Sequence, residues 1–300
     1  MPLTRRTLLS TAAATALAAA LSPTATAARR RPGSTAQSIR HIPLQGAVNV
    51  RDLGGYLTYT GGRVRHGLVY RADALSKLTD ADLATLATLG LGRAVDFRIP
   101  LEVQYDGADR LPAGTAAVSR PITDNGLYGR LLAAIGSRDP VRQEEMLGNG
   151  RAAAFMHEVY RSFVTSADNR AAFGATLRDL SRPGTAPYLY HCTSGKDRTG
   201  WTSYLLLTAV GVPEQSAVSD YLASNTFRAA HDAKVREGLK QAGLMQNPDL
   251  IIPLQEVREE YLNTALTEAR SQYGSLYRYL TTGLALDLST LGSLHDRLVT

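Results

Sequence analysis

The chain reads as an α/β protein: a central, mostly parallel sheet flanked by helices, with a helical C-terminal part. Three observations predict this. Short apolar runs at Arg63–Tyr70, Arg93–Phe97 and Ala116–Pro121 alternate with helical stretches. The segment richest in reactive side chains, His191 to Trp201, follows the apolar run Tyr188-Leu189-Tyr190 and precedes a helical pattern, so it sits after the C-terminal end of a strand. From Val212 onward the pattern is almost wholly helical, broken at Pro213, Pro248 and Pro253.

The first residues stand apart from this pattern. Thr4-Arg5-Arg6-Thr7-Leu8-Leu9 is a twin-arginine pattern, followed by a mildly apolar, alanine-rich stretch through Leu21. Ala25-Thr26-Ala27 then supplies a small-residue cleavage site before Ala28. The apolar run is too short and too mild to span a bilayer, so residues 1–27 are expected to be an export signal and the mature protein to be secreted without membrane insertion. Residues 28–41, with Arg29-Arg30-Arg31-Pro32-Gly33, are expected to be a flexible tether. Residues 42–300 are expected to form one domain, an ordinary size for a single α/β core.

Within that domain each element has a local reason. Gly61-Gly62 makes a turn before the strand expected over Arg63–Tyr70. Thr79 caps a helix that Gly90 closes. Residues 126–180 are largely helical. Two stretches are candidate lids, the amphipathic Phe227 to Gly243 and Leu127 to Leu147; either can instead be a surface helix with a solvated face, the reading favoured for Leu127 to Leu147. Thr199 to Val210 is expected to be a helix with Trp201, Tyr204, Leu205, Leu206 and Leu207 on its apolar side.

Composition narrows the chemistry. The net charge of +6 falls with loss of Arg5 and Arg6, leaving a modestly basic chain that favours anionic substrates. That charge is too small, and too little clustered with aromatics, to imply nucleic-acid binding. The single cysteine, Cys192, excludes an internal disulfide and a multi-cysteine redox relay. Six histidines, at 41, 66, 157, 191, 231 and 295, show no ligand spacing, so neither a metal nor another cofactor is expected.

The chemistry concentrates in His191-Cys192-Thr193-Ser194-Gly195-Lys196-Asp197-Arg198-Thr199-Gly200-Trp201. Strand, tight loop and helix start form an anion cradle, because loop amides and the positive end of the helix dipole add together. Thr193, Ser194, Gly195, Lys196, Thr199 and Gly200 are the candidate phosphate-binding positions. Cys192 would be the nucleophile, its thiol acidified by the helix start and by nearby cations. The planar fork of Arg198 can grip two phosphate oxygens, as a lysine cannot. Asp197 can protonate a leaving oxygen or orient Arg198 or Lys196 through a salt bridge. Thr199 can hydrogen-bond the sulfur, and His191 is expected to support the loop and tune the thiolate.

The Cys-x5-Arg loop flanked by His and Thr-Gly resembles that of the cysteine-dependent phosphatases. Its fuller form is similar to a bacterial branch of tyrosine and dual-specificity phosphatases, which includes secreted enzymes that also act on phosphoinositides. Asn49-Val50-Arg51-Asp52-Leu53-Gly54-Gly55-Tyr56 resembles that branch's N-terminal signature. Val95-Asp96-Phe97-Arg98, with Glu102 after it, resembles its Asp-Leu-Arg strand, and Tyr273-Gly274-Ser275-Leu276, with Tyr279-Leu280, its C-terminal helix start. The likeness runs from about Ile42 to Val299.

The resemblance implies a tyrosine-phosphatase-like fold and a phosphocysteine intermediate. It implies a phosphorylated protein or a phosphoinositide as substrate, with Lys196 as a second cation in the loop. It also brings in Asp124, on a segment placed like the mobile acid-bearing loop of many such enzymes, as a rival general acid. No Trp-Pro-Asp occurs here, which favours Asp197. Asp96 either holds Arg198 in orientation or pairs with Arg98. Two other classes compete: a rhodanese-like sulfurtransferase, which needs neither Asp197 nor Thr199-Gly200, and a non-catalytic phosphate-binding module, which gains nothing from Cys192.

Overall fold

The structure is a computed structural model, and it describes residues 39–300. The expected export signal, and residues 28–38 of the expected tether, lie outside the described residues. Arg40–His41, assigned above to the tether, instead form the first strand of the sheet, β1, by pairing with Arg51–Asp52, β2. Val69–Ala72 is β3, Arg93–Asp96 β4, Ala116–Ser119 β5 and Tyr188–His191 β6.

The six strands run in the order β1-β2-β3-β6-β4-β5. β3, β6, β4 and β5 are parallel, and β1 and β2 add an antiparallel edge. The sheet is therefore mostly parallel, as expected. The strand expected over Arg63–Tyr70 is shorter in fact. Val64 bridges only Val299, and the ladder begins at Val69, after Gly67 has turned the chain with a φ of 78°.

β6 sits at the centre and is buried along its whole length. Its side chains alternate between two cores. Tyr188 and Tyr190 join the larger one, on the face covered by Arg151–Thr165 (α5), Ala167–Ser181 (α6) and Arg198–Ala209 (α7). Leu189 joins Tyr70, Ala94 and Leu86 in a smaller core beneath Asp80–Ala87 (α1). The register places Ala72, His191 and Asp96 in one row, so the chain leaves three neighbouring strands side by side and the following loops converge.

The helices have local causes. In α1, Thr79 and Asp82 form a reciprocal capping box. Pro100–Asp106 (α2) begins with its proline in the first turn, and Glu102 accepts from the Ile99 amide at 2.8 Å. The stretch expected to be largely helical divides into Leu127–Ser137 (α3), Pro140–Leu147 (α4), α5 and α6. Glu214–Gln241 (α8) follows Pro213. Pro248 opens a short 3-10 turn, Ile252–Gln255 is α9, and Glu259–Tyr273 (α10) packs along α5. Leu276–Arg278 (α11) and Leu288–Leu298 (α12) complete the chain. α7 differs from its expected two-sided form: every residue from Arg198 to Leu207 is buried, because the sheet lies on one side and other helices cover the rest. Among the described residues no helix is long and apolar enough to cross a membrane.

One buried ion cluster ties α8 to the sheet. Arg51 of β2 and Arg71 of β3, both 0% exposed, converge on Asp220 of α8 with contacts of 3.0 and 2.6 Å. Tyr56 donates to the same carboxylate at 3.1 Å. Burial raises the Asp220 carboxyl, but the two guanidiniums outweigh it and hold the group below the usual carboxylate range. Removing the acid strands two buried cations. Asp220→Asn should therefore destabilise the fold by about 3–5 kcal/mol, read as a lowered urea midpoint at unchanged slope.

Candidate active site

The loop from Cys192 to Asp197 joins the end of β6 to the start of α7. Gly195 has a φ of 63°, and a Cβ there would lie 2.4 Å from the Ala72 carbonyl oxygen, so only glycine lets the loop fold onto the end of β3. The loop carbonyls are drawn outward. Thr193 accepts from the Ala74 amide at 3.1 Å, Ser194 from Asn49 Nδ2 at 3.0 Å, and Gly195 from Asn49 Nδ2 and Arg71 Nη2 at 3.0 and 2.7 Å. A trans peptide carries its C=O and N–H in opposite directions. The amides of Ser194, Gly195 and Lys196 are thereby turned inward, making the expected cradle.

Cys192 lies at the base of this cradle, 1% exposed. Burial alone would push its thiol up. The Arg198 charge and the hydrogen bonds from the Thr199 hydroxyl and amide together outweigh this, so the thiol is more acidic than usual. The Thr199 hydroxyl is buried and has no nitrogen or oxygen partner among the described residues, which leaves it to the sulfur.

Arg198 is fixed by Glu102. Nη1 and Nη2 donate to the two Glu102 oxygens at 2.7 and 2.5 Å, and Nη1 also reaches the carbonyls of Phe97 and Ile122 at 3.1 and 3.3 Å. Three of the five guanidinium N–H groups are thus engaged. Nε–H and one Nη2–H remain on a single edge, the pair needed for a two-point grip on phosphate. Glu102 also accepts from the Thr193 hydroxyl at 2.6 Å. Burial raises the Glu102 carboxyl, and the Arg198 charge together with the hydrogen bonds from Arg198, Thr193 and the Ile99 amide more than reverses the effect.

Asp96 does not hold Arg198, contrary to one of its two expected roles. It binds Arg98 through Nε and Nη2 at 3.0 and 2.9 Å, and Arg98 also binds Asp109 at 2.8 Å. The reason is the register: Asp96 is the last residue of β4, and its carboxylate folds back onto the Arg98 amide at 2.8 Å. His191, 0% exposed, contacts Asp109 through Nε2 at 2.8 Å. Burial lowers the imidazole's basicity and the Asp109 carboxylate more than restores it, leaving a net upward shift. Asp96, Asp109 and His191 are close enough together to suggest a metal site, but the Arg98 guanidinium already occupies both carboxylates.

Asp197 stands beside Cys192 and Arg198 on the wall of a cavity of about 110 Å³. Its oxygens accept from Lys196 Nζ at 2.9 and 2.8 Å, and Oδ1 accepts from the Tyr160 hydroxyl at 2.9 Å. The Lys196 ammonium is 1% exposed and is also tied to the Glu256 carbonyl at 3.1 Å. The Lys196 ammonium is thus engaged by Asp197, the salt bridge expected as that residue's alternative role. Gly200 serves packing, since a Cβ there would meet the Tyr221 ring at 2.9 Å. Asp124 lines the same cavity and accepts from the amides of Gly126 and Tyr128 at 2.9 and 2.7 Å, tying down the start of α3.

The remaining wall is apolar: Leu127, Tyr128 and Leu131 from α3, Val159 and Phe163 from α5, and Leu254 from α9. The stretch read as a solvated surface helix therefore turns one face to the site. The candidate lid Phe227 to Gly243 supplies no wall residue; its Arg228 reaches the Ser194 carbonyl at 3.3 Å and is held by Asp73 and Asp232 at 3.4 and 2.6 Å. A larger cavity of about 460 Å³ beside α4 has no cysteine or histidine in its lining.

Sequence reasoning missed the roles of Glu102, Asn49 and Asp109. Glu102 carried a readable signal, a glutamate at the third position of a helix opened by proline. Asp109 carried none, because only folding brings it to His191.

Glu102→Gln keeps the side-chain shape but removes the charge that holds Arg198. Its kcat/KM on phosphotyrosine peptide should fall on the order of 10²-fold. Alkylation of Cys192 by iodoacetamide, followed against pH, should show a midpoint below the ordinary thiol value of about 8.5. Arg198→Ala should move that midpoint upward, because the lost cation favours the thiolate.

The comparisons with known proteins agree with this geometry. A family model described as the tyrosine phosphatase family matches residues 42–300. A Cupriavidus necator protein, provisionally named a tyrosine-protein phosphatase, is 34% identical over 244 residues, covering 81% of this chain and 84% of its own length. The triple specificity protein phosphatase PtpB of Mycobacterium tuberculosis is 31% identical over 264 residues, covering 81% of this chain and 93% of its own. A tyrosine-protein phosphatase of Nostoc commune is 27% identical over 155 residues, covering 51% and 47%. These matches separate the chain from the sulfurtransferases. An amide cradle over an acidified cysteine, a carboxylate-held arginine and a match spanning the folded part together place the chain in the tyrosine phosphatase family.

Proposed function

We propose that this protein hydrolyses phosphotyrosine through a phosphocysteine intermediate, with Cys192, Arg198 and Asp197 as its catalytic residues. The observation that carries the reading is the geometry of Arg198: Glu102 leaves one free guanidinium edge above an acidified, buried sulfur. In the first step Cys192 Sγ attacks phosphorus. The bond to the leaving oxygen breaks as that oxygen takes the Asp197 proton. In the second step a water attacks phosphorus and gives its proton to Asp197. The P–S bond then breaks, returning the thiolate and releasing inorganic phosphate. The loop amides and Arg198 stabilise the charge on the transferring group.

The apolar wall supports an aryl phosphate. Leu127, Leu131, Phe163 and Leu254 suit a tyrosine ring and offer nothing to inositol hydroxyls. With the Lys196 ammonium bound to Asp197, the argument for phosphoinositides from a second loop cation loses its support. They and phosphoserine remain as arms of the test, because PtpB is named for triple specificity.

Cys192→Ser should abolish turnover yet retain phosphopeptide binding, since a hydroxyl stays protonated where the thiolate would attack. Asp197→Asn should reduce hydrolysis of phosphotyrosine and alkyl phosphates on the order of 10²-fold and spare nitrophenyl phosphate. If Asp124→Asn alone shows that leaving-group pattern, the acid is Asp124. Soluble phosphoinositides turned over as fast as phosphotyrosine peptide, in metal-free buffer, would move the substrate assignment to lipid headgroups.

We propose also that the protein is exported, on the strength of Arg5-Arg6 and Ala25-Thr26-Ala27. N-terminal sequencing of protein from the culture medium should begin at Ala28. Replacing Arg5 and Arg6 with lysine should keep the chain inside the cell; secretion of that variant overturns the twin-arginine route.

A further inference from the structure

We infer that Tyr160 is a positioning residue that aims Asp197, and that Tyr221 fixes the direction of its hydrogen bond. The inference rests on the reading of Asp197 as general acid. Tyr160 projects from α5, is 0% exposed, and donates to Asp197 Oδ1 at 2.9 Å. Its oxygen lies 2.7 Å from the hydroxyl of Tyr221 on α8, also 0% exposed. Burial, with the Asp197 charge nearby, pushes both phenols well above their usual range, so each keeps its proton.

Each phenol has one proton to give. With the Tyr160 proton on Asp197, the Tyr160 oxygen is the acceptor for Tyr221. The other acceptor open to Tyr221, the Arg258 carbonyl, is farther away at 3.3 Å. The chain therefore runs from Tyr221 to Tyr160 to Asp197. Its far end is blind, because a carbonyl has no proton to pass on. Such a chain cannot refill Asp197 after each turnover. It fixes where the carboxylate points.

The second tether on Asp197 is Lys196. Lys196 is anchored on the Glu256 carbonyl at 3.1 Å. Asn225 of α8 brackets Val257, accepting from its amide and donating to its carbonyl, each at 2.8 Å. The turn 256–258 thus anchors the lysine, while the phenol is held from α8 through Tyr221. The ammonium pulls on both carboxylate oxygens alike. The phenol binds Oδ1 alone and so selects one orientation.

The test compares Tyr160→Phe with Asp197→Asn across phosphate esters of differing leaving group. The aromatic ring and its packing stay in place in Tyr160→Phe, and thermal melting checks that the fold is kept. Expected is a loss in kcat of about tenfold on phosphotyrosine and alkyl phosphates, against less than about threefold on nitrophenyl phosphate, with KM unchanged. Combined with Asp197→Asn, it should add no further loss. A uniform loss, or none, in Tyr160→Phe while Asp197→Asn keeps its graded loss overturns the positioning role alone. If Asp197→Asn itself shows no leaving-group dependence, the acid assignment fails and this inference with it. Should Tyr160→Phe fail to fold, Tyr221→Phe carries the test: a graded loss of the same sign supports the chain, and a uniform or absent one overturns it.

Discussion

Arg198 is gripped by Glu102 before any phosphate arrives, and the remaining geometry follows from that grip. A free arginine at the start of α7 would have many rotamers and would lose that freedom at each binding event. Here the fork is spent on the protein side and its other edge is left open. Glu102 performs the task because only three residues separate α2 from Asp96, the last residue of β4, and the capping bond to Ile99 fixes the glutamate's direction. Thr193 adds a third donor to the same carboxylate, so loop, helix and strand meet on one acid. The acid is shielded from water, and its charge is balanced by the group it positions.

The protein carries more buried charge under the loop than a hydrophobic core tolerates unpaired. Arg51 and Arg71 share the single carboxylate of Asp220, and Arg71 also supports the Gly195 carbonyl. Beside it, Arg228 reaches the Ser194 carbonyl and pairs with both Asp73 and Asp232, so the surplus cation of one cluster faces the surplus acid of the next.

The legible and illegible parts of the chain divide along sequence distance. The loop from Cys192 to Arg198, the strand before it and the helix after it were readable because their logic is local: an apolar run, a glycine and a helix start. The mostly parallel sheet followed from alternation. Asp96 was ambiguous because its two candidate partners, Arg98 and Arg198, are distinguished only by the strand register. Lys196 had two readings, phosphate or a salt bridge to Asp197, because its spacing puts it in the loop beside both; its ammonium goes to Asp197 and to a carbonyl 60 residues further along the chain. The two readings of Leu127 to Leu147, lid or solvated surface helix, stayed open because a helix with one apolar stripe gives no sign of what that stripe covers. Pairs such as Asp109 with His191 leave no periodic trace.

Every carbonyl from Thr193 to Gly195 is tied down by a partner outside the loop. The entropy of ordering the amides is therefore lost during folding and not again when a ligand enters. A cradle completed in advance cannot tell one tetrahedral dianion from another, whether it is the ester, the released phosphate or a mimic such as vanadate. Discrimination must then reside in what surrounds the phosphorus. In this molecule that is the apolar wall contributed by α3, α5 and α9, none of which belongs to the sheet. The chemistry and the choice of substrate are thus carried by separate parts of the chain. The wall can change while the reaction stays the same.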